Sequence, residues 1–348
     1  MFNSGIYQHI DNFKKIENMQ TKMISGDVVA THNPLISIII TVYKRTQCVS
    51  EAINSALRQN EVPFEYEILV MHDDPDGEFD CINDYQNANN ISFYRNTQNV
   101  GLYNNSNRGA QLARGKYIAF LHDDDILYPH YLSEVYLFLK KKLSGVLCII
   151  PNRDVIGLTK TYSKALNILK KIFFVPLFLR KILRMPYKKI TIKNGLTYVL
   201  SNIYKAPSCG VLFEKKSFME SGGFNQDNWP VTDYFFFLRF NLIFPIYQMR
   251  KKLAAYRWID NLSQQKSIQF SGLALLSNFF KSPQPFKIVN LYYRFFHNEI
   301  FYAKYLMVNE QYRSEINILY PEITNYNKYK WHIFKAYNIL YRLLHDFI

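Results

Sequence analysis

The chain has 348 residues, enough for one large hydrophobic core or two modest ones, and 48% hydrophobic against 20% charged residues excludes wholesale disorder. Forty-two Lys and Arg against 28 Asp and Glu leave a formal net charge of +14. That excess points to anionic partners (nucleic acid, phospholipid headgroups or phosphorylated small molecules) without choosing among them.

The N-terminus lacks a basic-then-apolar signal pattern. The longest apolar candidate, 172–179, has eight residues and contains Pro176, well short of the ~18 needed to cross a bilayer. Cys48, Cys81, Cys148 and Cys209 are widely spaced and form no CxxC pair, which argues against a zinc cluster or a disulfide framework and fits a reducing cytoplasm.

Residues 1–33 are mixed and polar and read as an extension. Regular structure begins at 36–42, a continuous β-branched run that predicts a strand buried on both faces of a parallel sheet. Apolar residues at helical spacing (Ala52, Ile53, Ala56, Leu57) predict a helix over 49–59. Strands are expected at 66–71 and 91–95, and a helix at about 104–113 that Gly115 closes. A strand at 117–121 then leads into His122-Asp123-Asp124-Asp125, followed by a helix over 129–142 and a strand at 146–150. From 155 to 213 there is no acidic residue but eleven Lys or Arg. Within this segment 166–184 reads as a helix with Ile168, Ile172, Val175, Leu179 and Ile182 on one face and Lys170, Lys181 and Arg184 on the other, interrupted by Pro176. It is either a solvated surface or an amphipathic helix lying on anionic lipid. After about residue 263 the chain turns helical and aromatic, with no new motif.

Strand alternating with helix predicts an α/β layer with right-handed crossovers, whose ligands bind beyond the carboxyl ends of the strands. The polar clusters fall there: Tyr43-Lys44-Arg45 after the first strand, Asp73-Asp74 after the second, Asp123 to Asp125 after the fourth. Three adjacent carboxylates repel one another, and they are tolerable only if solvated or if a hard divalent cation is shared between them. Asp73 and Asp74, followed by Pro75, also suit an Asx turn, and Asp233 also suits a helix N-cap.

The segments PLISIIITVYKR, YEILVMHDDPDG and NVGLYNNSNRGAQLARGKYIAFLHDDDILYP, followed by APSCGVLFEKKSF, SGGFN and TDYFFFLRF, together resemble the inverting family-2 glycosyltransferases of the GT-A fold. The resemblance covers about 34–263, and its pieces stand in the family's order. It implies a Rossmann-type mixed, mainly parallel sheet flanked by helices over 34–265, with a basic insertion at about 155–205 where acceptor specificity would reside and a helical region over 266–348. It also implies the roles of single residues. Asp74 resembles the uracil-contacting aspartate, with Asp73 close by. Asp123 to Asp125 resemble the DXD-type motif, Asp123 meeting the donor and Asp124 and Asp125 holding Mn²⁺ or Mg²⁺. Thr41, Tyr43, Arg45, Asn99, Gly101 and Arg108 complete the implied nucleotide-sugar contacts, and Asp233 is the implied catalytic base.

Two departures stand out: Thr232 replaces the glutamate of the usual Glu-Asp pair, and Ile259 stands where the family often has a histidine. Expected partners are a nucleotide-sugar donor, a glycan or lipid-linked glycan acceptor and an anionic membrane surface on the cytoplasmic side. Nucleic acid is not expected, because the acidic clusters occupy the sheet edge and no nucleic-acid motif is present. A dinucleotide oxidoreductase is disfavoured because the first strand runs into TVYKRT and not a GxGxxG turn. A catalytically silent nucleotide-sugar-binding scaffold is the remaining alternative.

Overall fold

A computed structural model describes residues 10–26, 33–44, 48–77, 79–142, 148–156, 187–190, 209–257, 265–283, 287–306, 308 and 310–336. The chain divides into two compact units, one of residues 1–154 and 189–257, the other of 155–188 and 258–348.

The first unit is built on a mixed sheet. Its strands are β1 (Thr21–Gly26), β2 (Ile36–Val42), β3 (Tyr66–His72), β4 (Ile91–Asn96), β5 (Tyr117–His122), β6 (Ile126–Leu127), β7 (Cys148–Ile156), β8 (Tyr187–Ile190), β9 (Val211–Glu214) and β10 (Ile246–Arg257). They run in the order β1-β4-β3-β2-β5-β9-β7-β10-β6, with β8 paired to β10. β2 is parallel to both β3 and β5, and β3 is parallel to β4. Every residue of β2 is buried, as its unbroken ISIIITV run requires of a central strand. Helices α1 (Val49–Leu57), α2 (Leu102–Leu112) and α3 (Tyr131–Lys142) follow β2, β4 and β6. Helices α4 (Lys215–Glu220) and α5 (Thr232–Ile243) precede β10.

The parallel core aligns three strand ends at one edge. Thr41 pairs with Met71 on one side and with His122 on the other, so residues 42–44, 73–74 and 123–125 leave the sheet side by side. Behind that edge lies an aromatic core in which Phe213, Phe218, Phe224, Phe236 and Phe240 form neighbouring pairs with ring centroids 4.4–5.6 Å apart. Edge-on and tilted contacts of this kind add to the burial of each ring.

The predicted N-terminal extension is part of this unit. β1 pairs antiparallel with β4, and the buried Asn12 donates from its side chain to the Gly222 carbonyl at 3.0 Å. β1 reads TKMISG, mostly exposed, with neither an alternating pattern nor an apolar run to read, which hid it. Gly115 also has a different duty from the one expected. α2 is capped by Ala113, while a Cβ on Gly115 would come within 2.7 Å of the Ser37 backbone nitrogen, so glycine permits close approach to β2.

The second unit contains α6 (Lys266–Lys281), α7 (Lys287–Tyr305) and α8 (Arg313–Leu319). Leu273, Phe301, Tyr305, Val308, Ile316 and Ile323 form its buried cluster, which agrees with the helical region expected from 266 onward. The basic helix expected over 166–184, together with Arg45 and Ile259, lies outside the described residues. No helix among the described residues is long and apolar enough to cross a membrane.

Candidate active site

The turn after β3 divides its two carboxylates by function. Asp73 is 2% exposed, and its oxygens accept hydrogen bonds from the Asn96 amide (2.9 Å) and from the backbone N–H groups of Val100 (3.0 Å) and Gly101 (2.8 Å). Burial pushes its pKa up, and these three donors pull it back. Asp73 is therefore committed to holding the loop between β4 and α2. Asn99 serves that loop too, accepting from the Gly101 N–H at 3.0 Å. Gly101 sits at φ 85°, a conformation that favours glycine, and starts α2. Asp74, one residue on, is half-buried and interacts electrostatically with Lys44.

β10 templates the second cluster. Ala255 pairs with Ile126, which brings Arg257 beside the Asp123–Asp125 turn. The Arg257 backbone N–H donates to Asp125 at 3.1 Å, its Nε donates to the Asp124 carbonyl at 3.0 Å, and its guanidinium pairs with Glu51 of α1 at 2.5 Å. The Tyr43 N–H approaches Asp123 Oδ2 at 3.4 Å. All three aspartates are buried, with Asp125 at 0% exposure. Desolvation, followed by the charge of Asp124, pushes the Asp125 pKa up to about 7. The Arg257 N–H and the Cys209 thiol offset part of this rise.

A cation fits here. His122 Nδ1 lies 3.8 Å from Asp125 Oδ2, and ligand atoms of His122, Asp124 and Asp125 all lie within 4.8 Å of one another. One imidazole nitrogen with two carboxylates is a donor set suited to Mn²⁺ and acceptable to Mg²⁺.

Asp233 occupies the first turn of α5. It is half-buried, and its carboxylate accepts from the Tyr234 N–H at 2.8 Å. Burial pushes its pKa up to about 6, while the Tyr234 N–H and the charge of Arg153 restrain the rise. Arg153, on β7, interacts electrostatically with both Asp125 and Asp233. Thr232, in place of the family's glutamate, is buried and donates to the Asn225 carbonyl at 3.2 Å.

The sheet edge thus brings together Thr41, Tyr43, Asp73, Asp74, Asn99, Gly101 and Asp123 to Asp125, while Asp233 stands on α5. Arg108 is not among them. Its guanidinium donates to Thr21 Oγ1 at 3.1 Å and Gln111 Oε1 at 3.0 Å, because two turns along α2 the helix has turned this side chain toward β1. His122, Arg153 and Arg257 were not anticipated. His122 stood next to the aspartates in the HDDD run, so its signal was present. Arg153 reaches the site only through a strand pairing that no local pattern encodes, whereas Arg257 opens the Arg-Trp-Ile run in which Ile259 stands for the family's histidine.

The chain matches relatives over the same region. A family model described as Glycosyl transferase family 2 matches residues 37–235. The putative colanic acid biosynthesis glycosyl transferase WcaA of Escherichia coli is 35% identical over 115 residues, which cover 32% of this chain and 40% of that protein. Across the curated relatives the matched segments span from 18% to 67% of their lengths. S. aureus TarS 1-349, solved in complex with UDP-GlcNAc, has a TM-score of 0.55 at 14% identity, covering 83% of this chain and 78% of that one. The mannosyltransferase PcManGT from Pyrobaculum calidifontis, in complex with GDP-Man and Mn2+, has a TM-score of 0.50 at 11% identity, covering 95% of this chain and 91% of that one. The two solved structures bear on the fold, which is of GT-A type. With the family match spanning more than half of its length and the strand-end carboxylates inside that span, the chain belongs to glycosyl transferase family 2.

Proposed function

We propose that this chain is an inverting glycosyltransferase that moves a sugar from a UDP-sugar to a hydroxyl of a glycan or lipid-linked glycan in surface polysaccharide synthesis. The observation that carries this reading is the cluster of His122, Asp124 and Asp125 at the end of β5, whose ligand atoms lie within 4.8 Å of one another inside the span that the family model matches. Asp233, in the first turn of α5, has its pKa raised by burial to about 6, so at neutral pH it is ionised yet basic enough to accept a proton. The donor preference is supported by TarS, which binds UDP-GlcNAc, and the metal by PcManGT, which holds Mn2+ with GDP-Man.

In this reading Asp74 recognises the base of the nucleotide and Asp123 its sugar-phosphate portion. Asp124 and Asp125, with His122, would hold Mn²⁺ or Mg²⁺, which when bound neutralises charge on the departing diphosphate. Asp233 takes the proton of the acceptor hydroxyl while that oxygen attacks the anomeric carbon. The new C–O bond forms as the bond to the diphosphate oxygen breaks on the opposite face, so one displacement inverts the centre without a covalent enzyme intermediate. General-base assistance of this kind contributes ~10²–10⁴-fold, and in-line positioning of donor and acceptor supplies much of the remainder. Residues 34–265 are the proposed transferase domain, and the basic segment of about 155–205 is where we place acceptor choice and peripheral contact with the inner face of the membrane.

The test is calorimetric titration of a UDP-sugar panel with and without Mn²⁺, coupled to an assay of UDP release. Tight binding of one member only with Mn²⁺, and Asp233→Asn that binds but does not turn over, is the expected result. A panel with no metal-dependent binder would refute the reading.

A further inference from the structure

Past the end of β3 the chain makes a loop that closes on its own start. The His72 ring, 1% exposed, stacks on Phe79 with centroids 4.6 Å apart and planes inclined by 5°. Phe79 in turn meets Phe93 of β4 edge-on at 5.8 Å. Burial, with the Arg95 charge second, lowers the His72 pKa to about 4, so at neutral pH the imidazole is an uncharged stacking partner. The stack thus pins the far end of the loop to the residue where it begins.

A second anchor holds the middle. Arg95 is the register partner of His72 on the parallel strand β4, so both side chains leave the same face of the sheet. The Arg95 guanidinium donates to the Gly77 carbonyl at 2.9 Å, a bond that the charge on the donor strengthens. Gly77 is packed against Asp74. A Cβ added at 77 would stand 2.9 Å from both Cγ and Oδ2 of Asp74, closer than such atoms pack, so the bare Cα is what lets the carboxylate lie where it does. Pro75 fixes φ between the two. A continuous series of contacts therefore runs from the Arg95 guanidinium through the Gly77 backbone to the half-buried Asp74 carboxylate.

We propose that Arg95 is a positioning residue for nucleobase recognition: by holding the Gly77 carbonyl it fixes the turn against which Asp74 rests, and so the direction in which that carboxylate accepts. This rests on Asp74 meeting the base, as proposed above. An ionised carboxylate accepts hydrogen bonds and donates none. Held in one direction, it suits a base with a ring N–H beside a carbonyl, as uracil has at N3, and rejects cytosine, whose N3 is itself an acceptor. Specificity of this kind depends on the direction of one bond, and it is lost once the turn is free to move.

The experiment titrates UDP and CDP, each with Mn²⁺, into the full chain as wild type, Arg95→Met, Gly77→Ala and Asp74→Ala, beside the urea midpoint of each. Arg95→Met keeps the apolar stem and removes the donor, whereas Gly77→Ala keeps every charge and pushes on the carboxylate directly. Wild type is expected to favour UDP. Both variants should bind UDP about tenfold more weakly and CDP within about twofold of wild type, so that the preference collapses as it does in Asp74→Ala. Should Arg95→Met not fold, Gly77→Ala decides alone. A UDP preference kept by Arg95→Met and Gly77→Ala but lost in Asp74→Ala overturns the role of Arg95 and leaves Asp74 as the reader of the base. Parallel losses of UDP and CDP affinity that follow a lowered urea midpoint also overturn it, since they report general loosening. A preference that survives Asp74→Ala removes the reading of Asp74 and this proposal together.

Discussion

At the residue scale, neighbouring carboxylates are separated by what they already hold. Asp73 satisfies three donors inside the protein, so Asp73→Ala leaves the Val100 N–H without its acceptor and takes one of two acceptors from the Gly101 N–H and the Asn96 amide. We expect a loss of about 1–3 kcal/mol in urea unfolding, the cost of a buried group left unsatisfied. Asp74 bears no such load, and Asp74→Ala is expected to lower UDP affinity about tenfold with an unchanged unfolding midpoint, a lost nucleotide hydrogen bond to a charged group being worth about 1.5–3 kcal/mol. Equal stability losses in the two variants would refute the division. Asp233 allows a pH argument. Burial holds its folded pKa at about 6, above the ordinary aspartate value of about 3.9, so the folded chain binds the proton more tightly and its stability contribution is present below about pH 4 and lost as pH rises through 6. Asp233→Asn should therefore raise the melting temperature at pH 8 and leave it unchanged at pH 4, while wild-type kcat/KM falls about tenfold per unit below pH 6. A melting gain that is the same at both pH values would exclude the raised pKa.

At the element scale, what could be read in the sequence was what is periodic. β2 occupies the predicted 36–42, and the three polar clusters do converge at one sheet edge, because parallel β2, β3 and β5 leave the chain no other arrangement. α2 starts earlier than expected, since the Asn- and Gly-rich NVGLYNNSN segment reads as loop, and Asp73 and Gly101 make its first turn affordable from outside. The sidedness of α2 was also hidden: Arg108, an implied ligand contact, instead bonds Thr21 and Gln111. Two glycines on or beside this helix separate site from scaffold. Gly101→Ala meets φ 85° and a Cβ contact of 2.7 Å with Gln226. It should cost about 1–3 kcal/mol for this positive-φ, extended conformation that is essentially restricted to glycine, and weaken UDP binding severalfold, because the distorted loop borders the proposed nucleotide site. Gly109→Ala places a Cβ 2.5 Å from the Ile39 methyl. Overpacking there should cost about 1–3 kcal/mol and leave UDP affinity unchanged in the folded fraction. The reverse ranking of UDP affinities would mean that the nucleotide lies elsewhere.

At the scale of the whole molecule, charge and acidity are segregated. The aspartates gather at one sheet edge, while 155–213 carries eleven Lys or Arg and no acidic residue in a chain of net charge +14. Each such cation near an anionic bilayer contributes about 1 kcal/mol within a Debye length. That length shrinks from about 10 Å at 0.1 M salt to about 3 Å at 1 M. The protein should therefore sediment with vesicles containing acidic phospholipid at about 0.1 M salt and be released at about 1 M, with little binding to neutral vesicles at either. Replacing Lys160, Lys164, Lys170 and Lys171 by Gln should weaken vesicle binding and leave UDP affinity unchanged, since none of the strand-end groups is touched. Binding that is equally strong on neutral vesicles, or indifferent to salt, would show that apolar insertion holds the protein there and that the cationic segment serves another anion.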